Sequence, residues 1–319
     1  MHLRAGFRRD FSALSGLVLA FSVCAAHAAS FKVDRQTVAR ASMKPDLRAT
    51  HAPFPDRPVI TDKDAGLVGD GRTDNTGAFK RLFSKPGQSV RIGAGDFLTG
   101  RFVIPGDTLL TLDHGTIIRD SGHLGKNERF IQIWGNHVKI VGNGARVLQN
   151  RADYTSGEGR HGIYILKDSD VLIDGLESSN SGGDGFYIGG PANSPSTNIT
   201  LINCTARNNR RQGLSIVNAR NVDVIDSTFS DTNGTIPEFG IDLEPNFPTD
   251  VLDHILLYGV RTSGNHRGGI SMWLNFMNSD SEHIDVEIVD HQSSNEPNPF
   301  VTSTGEKAVQ GSVRYITAR

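Results

Sequence analysis

The chain has 319 residues, with 33 Lys and Arg against 35 Asp and Glu and a formal net charge of −2. That balance disfavours nucleic acid as a partner, because nucleic-acid binders carry a basic surface. Thirty-five glycines suit a fold of many tight turns, and two cysteines exclude a disulfide framework.

Residues 1–28 read as a signal peptide. Arg4, Arg8 and Arg9 precede an apolar run from Leu17 to Ala26, and Ala26-His27-Ala28 offers small residues for cleavage after Ala28. Arg8-Arg9-Asp10-Phe11 also fits a twin-arginine export signal. The expected location is therefore periplasmic or secreted. Removing the leader takes Cys24 with it, so Cys204 is left as a lone core thiol. No other apolar stretch approaches the length of a membrane span. No membrane partner is expected, and the expected state is a monomer.

Residues 29–58 are polar, proline-bearing and without period, and read as an N-terminal extension lying against the domain that occupies 59–319. Asp64 to Phe79, followed by Lys80-Arg81-Leu82-Phe83, predicts an entry turn and a short capping helix. Asp74 or Thr76 would cap it, and Ala78, Phe79 and Leu82 would form its apolar face. A strand-forming stretch, Val90 to Gly100, comes next.

From residue 161 the chain repeats one phrase: glycine, apolar, any residue, apolar. The copies are Gly162-Ile-Tyr-Ile165, Gly185-Phe-Tyr-Ile188, Gly213-Leu-Ser-Ile216, Gly240-Ile-Asp-Leu243 and Gly269-Ile-Ser-Met272, with glycines 23, 28, 27 and 29 residues apart. Each reads as a short strand by its period-two alternation, and a repeat in the twenties marks a stacked solenoid. A second alternation precedes each later copy, from Asp170, Asn198, Asn221 and His254, and a further run starts at His283. Asn180, Asn208, Asn233 and Asn265 fall ahead of successive glycines and predict left-handed turn positions. Residues 293–307 read as loop, with a last strand over Ala308 to Ile316 closing the stack. A leucine-rich repeat is the structural competitor, but its leucine spacing is absent.

These features resemble the pectate-lyase-like β-helix superfamily. The likeness rests on Gly69-Asp-Gly-Arg-Thr-Asp-Asn-Thr76 at the cap, on Gly93-Ala-Gly-Asp-Phe-Leu98, and on the repeats, and it covers roughly residues 60–290. It implies an all-β fold: a single-stranded right-handed parallel β-helix with a short N-terminal capping helix. Activity is less defined, because the superfamily includes lyases, hydrolases, epimerases and tailspikes. The paired-aspartate, Gly-His-Gly and Arg-Ile-Lys motifs of polygalacturonases find no match. Gly240-Ile-Asp-Leu-Glu-Pro-Asn246 is faintly similar to a phrase of alginate C5-epimerases, but Leu243 and Glu244 replace that family's Pro-His.

Alternation puts Tyr164, Tyr187, Ser215, Asp242 and Ser271 on one outward column, with Leu166, Gly189, Val217, Glu244 and Trp273 two residues further on. Asp242 and Glu244, at i and i+2, would project from one face about 7 Å apart. They fit an acid/base pair for an inverting glycosidase or a calcium site that neutralises a uronate. A solvated acidic pair is the bland alternative. Arg210, Arg211 and Arg267 on flanking coils would grip an acidic sugar, or else pair with those carboxylates. His161, Tyr164 and Tyr187 are proton-transfer candidates, although exposed tyrosines are often only good strand formers. Asp184 reads as catalytic or as a turn residue, and Trp273 as a sugar-stacking platform or a core cover. His266 has no partner identifiable in sequence.

The expected function is an exported enzyme acting on a uronate-containing polysaccharide, by β-elimination or as a related C5-epimerase, with catalytic candidates Asp242, Glu244, Tyr187, Asp184, His161 and Arg211. Substrate-binding candidates are Tyr164, Arg210, Arg267, His266 and Trp273. A glycoside hydrolase using Asp242 and Glu244, and a non-catalytic glycan-binding β-helix, are the alternatives. The leader disfavours a phage tailspike. No cofactor is assigned beyond the calcium alternative.

Overall fold

The computed structural model describes residues 31–305 and 308–318. The predicted signal peptide, residues 1–28, lies outside them. Paired strands run parallel and form one 11-stranded and two 8-stranded sheets. One circuit illustrates the path. Ser169–Asp174 lies in the first sheet, Glu177–Ser179 in the second and Phe186–Gly189 in the third, and Ser196–Ile202 then returns beside Ser169–Asp174. The result is a three-sided parallel β-helix whose circuits stack at the strand spacing of about 4.8 Å.

The repeated phrases supply the third sheet as Ile163–Leu166, Phe186–Gly189, Leu214–Ile216, Phe239–Leu243 and Gly268–Trp273. Their apolar positions, among them Ile165, Phe186, Ile216, Leu243 and Met272, are fully buried in the core. The second alternation supplies the first sheet, with Val171, Leu201, Val224 and Leu257 facing inward. Apart from Gly95–Thr99, which falls inside the predicted Val90 to Gly100 stretch, the second sheet has no counterpart in the sequence reading. Several of its strands are only three residues long, such as Thr205–Arg207 and Thr228–Ser230, and each turns a single residue inward (Ala206, Phe229). One inward residue gives no period to detect.

The phrase glycines are explained by close approach rather than by turn conformation. A Cβ on Gly162, Gly185, Gly213, Gly240 or Gly269 would sit 3.0 Å or less from the carbonyl oxygen of the matching residue on the next circuit, which is Gly185, Gly213, Gly240, Gly269 and Pro299 respectively. The column of missing side chains lets the circuits stack without a gap. Because the obstructing atom is backbone, Gly213→Ala is expected to cost about 1–3 kcal/mol by overpacking, read as a lowered denaturation midpoint. An unchanged midpoint would contradict the close-approach argument.

The turn asparagines divide into two groups. Asn180 and Asn208 take φ of 57° and 53°, but on the next circuits Asp231 (57°) and Gly264 (64°) hold that position in place of Asn233 and Asn265. Asn209 and Asn265 are buried beside it and bridge circuits. Their Oδ1 atoms accept the amides of Ser181 (2.8 Å) and Thr232 (3.1 Å), and their Nδ2 groups donate to Ser178 and Phe229 carbonyls.

At one end, the helix Thr76–Leu82 closes the core with Ala78, Phe79 and Leu82, and Phe79 stacks on Phe102 at 4.6 Å. Its N-cap is Asn75, while the Asp74 carboxylate accepts the Thr76 amide. The other end corrects two expectations. The 293–307 region carries the strand Phe300–Ser303, because Phe300 continues the core column of the third sheet. Gly311–Ala318 does not end the first sheet, since Phe31–Val38 pairs along its outer edge. The extension does lie against the solenoid. From that edge it crosses the outer face of the first sheet, where Asp223 accepts the Arg48 and Ala49 amides and His51 meets Asp170 at 2.7 Å. It ends at the opposite edge strand, Val59–Thr61. Its polar residues follow from this path across outward-facing polar groups, while Phe31 and Val33 pack against the core and Met43 is buried with Leu256 and Val289.

Candidate functional site

The predicted outward column is in register, with Tyr164, Tyr187, Ser215, Asp242 and Ser271 on neighbouring strands of the third sheet. Its predicted exposure is not observed. Asp242 is 0%, Ser215 1%, Ser271 4% and Tyr164 7% exposed. Turn residues ahead of each glycine fold over the column, and these polar groups form a covered layer between sheet and solvent. Over that layer opens a cleft of about 240 Å³, lined by Arg129, Glu158, His161, Tyr187, Arg211 and Glu244 among others.

Asp184 organises the floor. Its carboxylate is fully buried, accepts the Ser215 hydroxyl at 2.9 Å, lies 3.2 Å from His161 Nδ1 and 3.4 Å from Arg211 Nη1. Burial alone would raise this carboxyl, but His161 and Arg211 beside it and the Ser215 hydroxyl outweigh that and hold Asp184 below the ordinary carboxylate value. The Asp184 amide donates to His161 Nδ1 at 3.1 Å, and the Asp184 Oδ2 atom lies 3.2 Å from the same nitrogen. The rings of His161, Tyr164 and Tyr187 stack with centroids 4.9–5.6 Å apart, which fixes the imidazole plane. Burial raises both tyrosine hydroxyls above their usual value, so both are neutral phenols.

Arg211 bridges the carboxylates, reaching Asp184 on one side and Glu244 Oε2 (3.1 Å) on the other. Burial works against its charge, but chiefly Asp184 and Glu244 raise it well above the usual guanidinium value. Asp242 behaves oppositely to Asp184. Desolvation, then the Glu244 charge, push it well above the carboxylate range, and Arg211 only partly offsets them. Its Oδ2 accepts Gln212 Nε2 at 2.7 Å, and its Oδ1 has no hydrogen-bond partner. Burial and the neighbouring Glu244 charge thus favour the neutral form of Asp242 under the cleft floor.

A protonated group in the folded state whose unfolded counterpart ionises near 3.9 weakens folding as pH rises from that value toward the raised one. Asp242→Asn removes this cost while keeping an acceptor for Gln212. Its stabilisation over the parent chain is expected to grow from pH 4 toward neutrality in thermal melts. A pH-independent difference would contradict the retained proton. Asp242 is fully covered and Glu244 already faces a cation in Arg211, so a calcium ion does not fit this pair.

The remaining predicted residues lie elsewhere. Arg210 points away from substrate space and holds the preceding loop, donating to the carbonyls of Gly157 (2.7 Å) and Thr155 (3.0 Å). His266 and Arg267 both face Glu238, at 2.6 and 3.7 Å, outside the cleft lining. Trp273 is 41% exposed on the Glu244 column.

Arg129 and Glu158 were not legible as site residues. Arg129 packs over the Tyr164 ring at 4.7 Å, and among the described residues no carboxylate lies within ion-pair distance of it. A signal for it exists in the register. It stands two residues before Ile131, as His161 does before Ile163, and those strands pair. Phe130 occupies the phrase glycine's place there, so the repeat goes unrecognised one circuit early.

Comparison with known proteins places this geometry in context. The chain is 26% identical over 245 residues to the uncharacterised protein YclG of Bacillus subtilis, covering 65% of this chain and 41% of that protein. The N-terminal fragment of bacteriophage phi29 gene product 12 superposes with a TM-score of 0.64 at 18% identity, over 81% of this chain and 52% of the fragment. A hydrolase named 1,3-α-1,4-β-D-galactose-4-sulfate-3,6-anhydro-D-galactose-2-sulfate 4 galactohydrolase superposes with a TM-score of 0.63 at 14% identity, over 82% and 64%. The chain therefore spans well under two thirds of the length of that curated relative, and the solved structures share its fold. The model of the right-handed β-helix region matches residues 115–279, which is more than half of the chain. This protein belongs to the right-handed parallel β-helix family.

Proposed function

We propose that the protein binds an acidic polysaccharide along the third sheet and cleaves it by β-elimination at the His161 cleft. The observation that carries this reading is the His161–Asp184 pair, a cleft-lining imidazole held on a buried, ionised carboxylate between two arginines. Arg129, which has no acidic partner, would take the uronate carboxylate and make the neighbouring C–H more acidic. His161 Nε2, in the tautomer whose Nδ1 hydrogen faces Asp184 Oδ2, would remove that C5 proton. The electron pair forms a C4–C5 double bond as the C4–O4 bond breaks. Tyr187, a neutral phenol beside His161, would protonate the departing oxygen, which as an alkoxide is more basic than a phenolate.

Hydrolysis is the second reading, and the raised Asp242 carboxyl next to Glu244 favours it. Against it, Asp242 is fully covered, and Glu244 is engaged by Arg211. Two similar folds, a hydrolase and a phage protein, leave either chemistry and plain glycan binding open to test.

The test is a panel of acidic and neutral polysaccharides incubated with the protein, with product masses read directly. Eliminated chains give fragments lighter by one water than hydrolysed ones. Fragments carrying the full water would sink the elimination reading, and intact polymers retained on the protein would favour binding alone.

A further inference from the structure

The chain contains two tryptophans, and both are exposed, Trp134 at 69% and Trp273 at 41%. Tryptophan is a largely buried residue type in folded proteins, so leaving both in solvent is unusual on packing grounds alone. Both also fall on one column. Trp134 ends the strand Ile131–Trp134 and Trp273 ends Gly268–Trp273, each directly after a core-facing residue (Ile133, Met272). The register carries the column through Leu166, Gly189, Val217 and Glu244 between them.

The middle of that column is low. Gly189 has no side chain, Val217 is 4% exposed, and Val217 and Glu244 line the cleft. Two indoles therefore stand at the ends of an axial trough, five strand spacings or about 24 Å apart, with His161 one circuit from Trp134 and four from Trp273. An indole offers a flat apolar face and a polar N–H edge, which suits the face of a pyranose ring flanked by hydroxyls.

We infer that Trp134 is a sugar-stacking platform beside the His161 cleft, and that the cleft continues along the column into an extended trough that binds the interior of a polysaccharide chain. The occupant is a glycan chain running parallel to the solenoid axis, with one sugar over Trp134 and another over Trp273. This rests on the reading of the cleft as a glycan site, but not on its chemistry.

The experiment compares the parent protein with Trp134→Ala and Trp134→Phe. It reads retardation in gels containing the polysaccharide that the parent binds, and kcat and KM on that polymer. Trp134→Ala is expected to weaken retardation and polymer kcat/KM about tenfold, mainly through KM, and to be restored largely by Phe. Because Trp134 is exposed, thermal melts of both variants should match the parent. Unchanged retardation, or a loss that Phe does not restore, would overturn the inference. A His161→Gln protein that still cleaves, alongside a Trp134→Ala protein that loses polymer, would overturn the elimination chemistry and leave the platform standing.

Discussion

His161→Gln is expected to lower kcat on the cleaved polysaccharide by about 10²–10⁴-fold, the usual contribution of a positioned general base. The substitution keeps a polar side chain near Asp184 and does not empty the stacked layer of Tyr164 and Tyr187. Stability should fall far less than activity, and substrate retention should survive because Arg129 is untouched. Asp184→Asn tests the orientation separately. An amide can donate to Nδ1, which moves the imidazole hydrogen to Nε2 and removes the lone pair facing the cleft. Both variants should therefore lose turnover with KM little changed. A His161→Gln protein with near-normal kcat would show that the imidazole is part of the wall and not of the chemistry.

Arg211→Gln should be the most destabilising single change in the site. The guanidinium is 12% exposed and stands among Asp184, Glu244 and Asp242. Removing it leaves a buried ionised carboxylate without its cation, which costs about 3–5 kcal/mol. Asp184 would then rise toward the neutral acid, since His161 alone opposes the burial that favours protonation. Since Asp184 is held below its unfolded value, the stability it contributes is present above that value and is lost as pH falls through the folded one. The difference between parent and variant should therefore shrink on acidification. A double-mutant cycle with Asp184→Asn should show strong non-additivity, because each change removes part of what makes the other costly. A loss below about 1 kcal/mol would mean that solvent screens the pair and that the covered layer opens in solution.

Much of the fold was legible because its signals are local. The glycine phrases and the second alternation are each long enough to show period two, and Phe79 and Leu82 mark the cap. The second sheet was not, since three-residue strands with one inward residue carry no period. The path of Phe31–Val38 was not either, because its partner Gly311–Ala318 lies at the opposite end of the sequence. Outward geometry for Asp242 follows from alternation, but its burial depends on the turn residues Arg211 and Gln212 folding over it, and no strand pattern encodes that. Arg211 was identified by type and position. Arg210, its neighbour, differs only in direction, and direction comes from a loop 55 residues earlier in the chain. Arg129 was missed because Phe130 interrupts the phrase that would have aligned it with His161.

The measurement that tests the central claim most directly follows ultraviolet absorbance of unsaturated uronates and new reducing ends together, on one acidic polysaccharide that the protein cleaves. Elimination predicts that absorbance rises in proportion to reducing ends, and that both vanish together in the His161→Gln protein. Reducing ends that appear without absorbance would contradict the account and turn attention to Asp242 and Glu244.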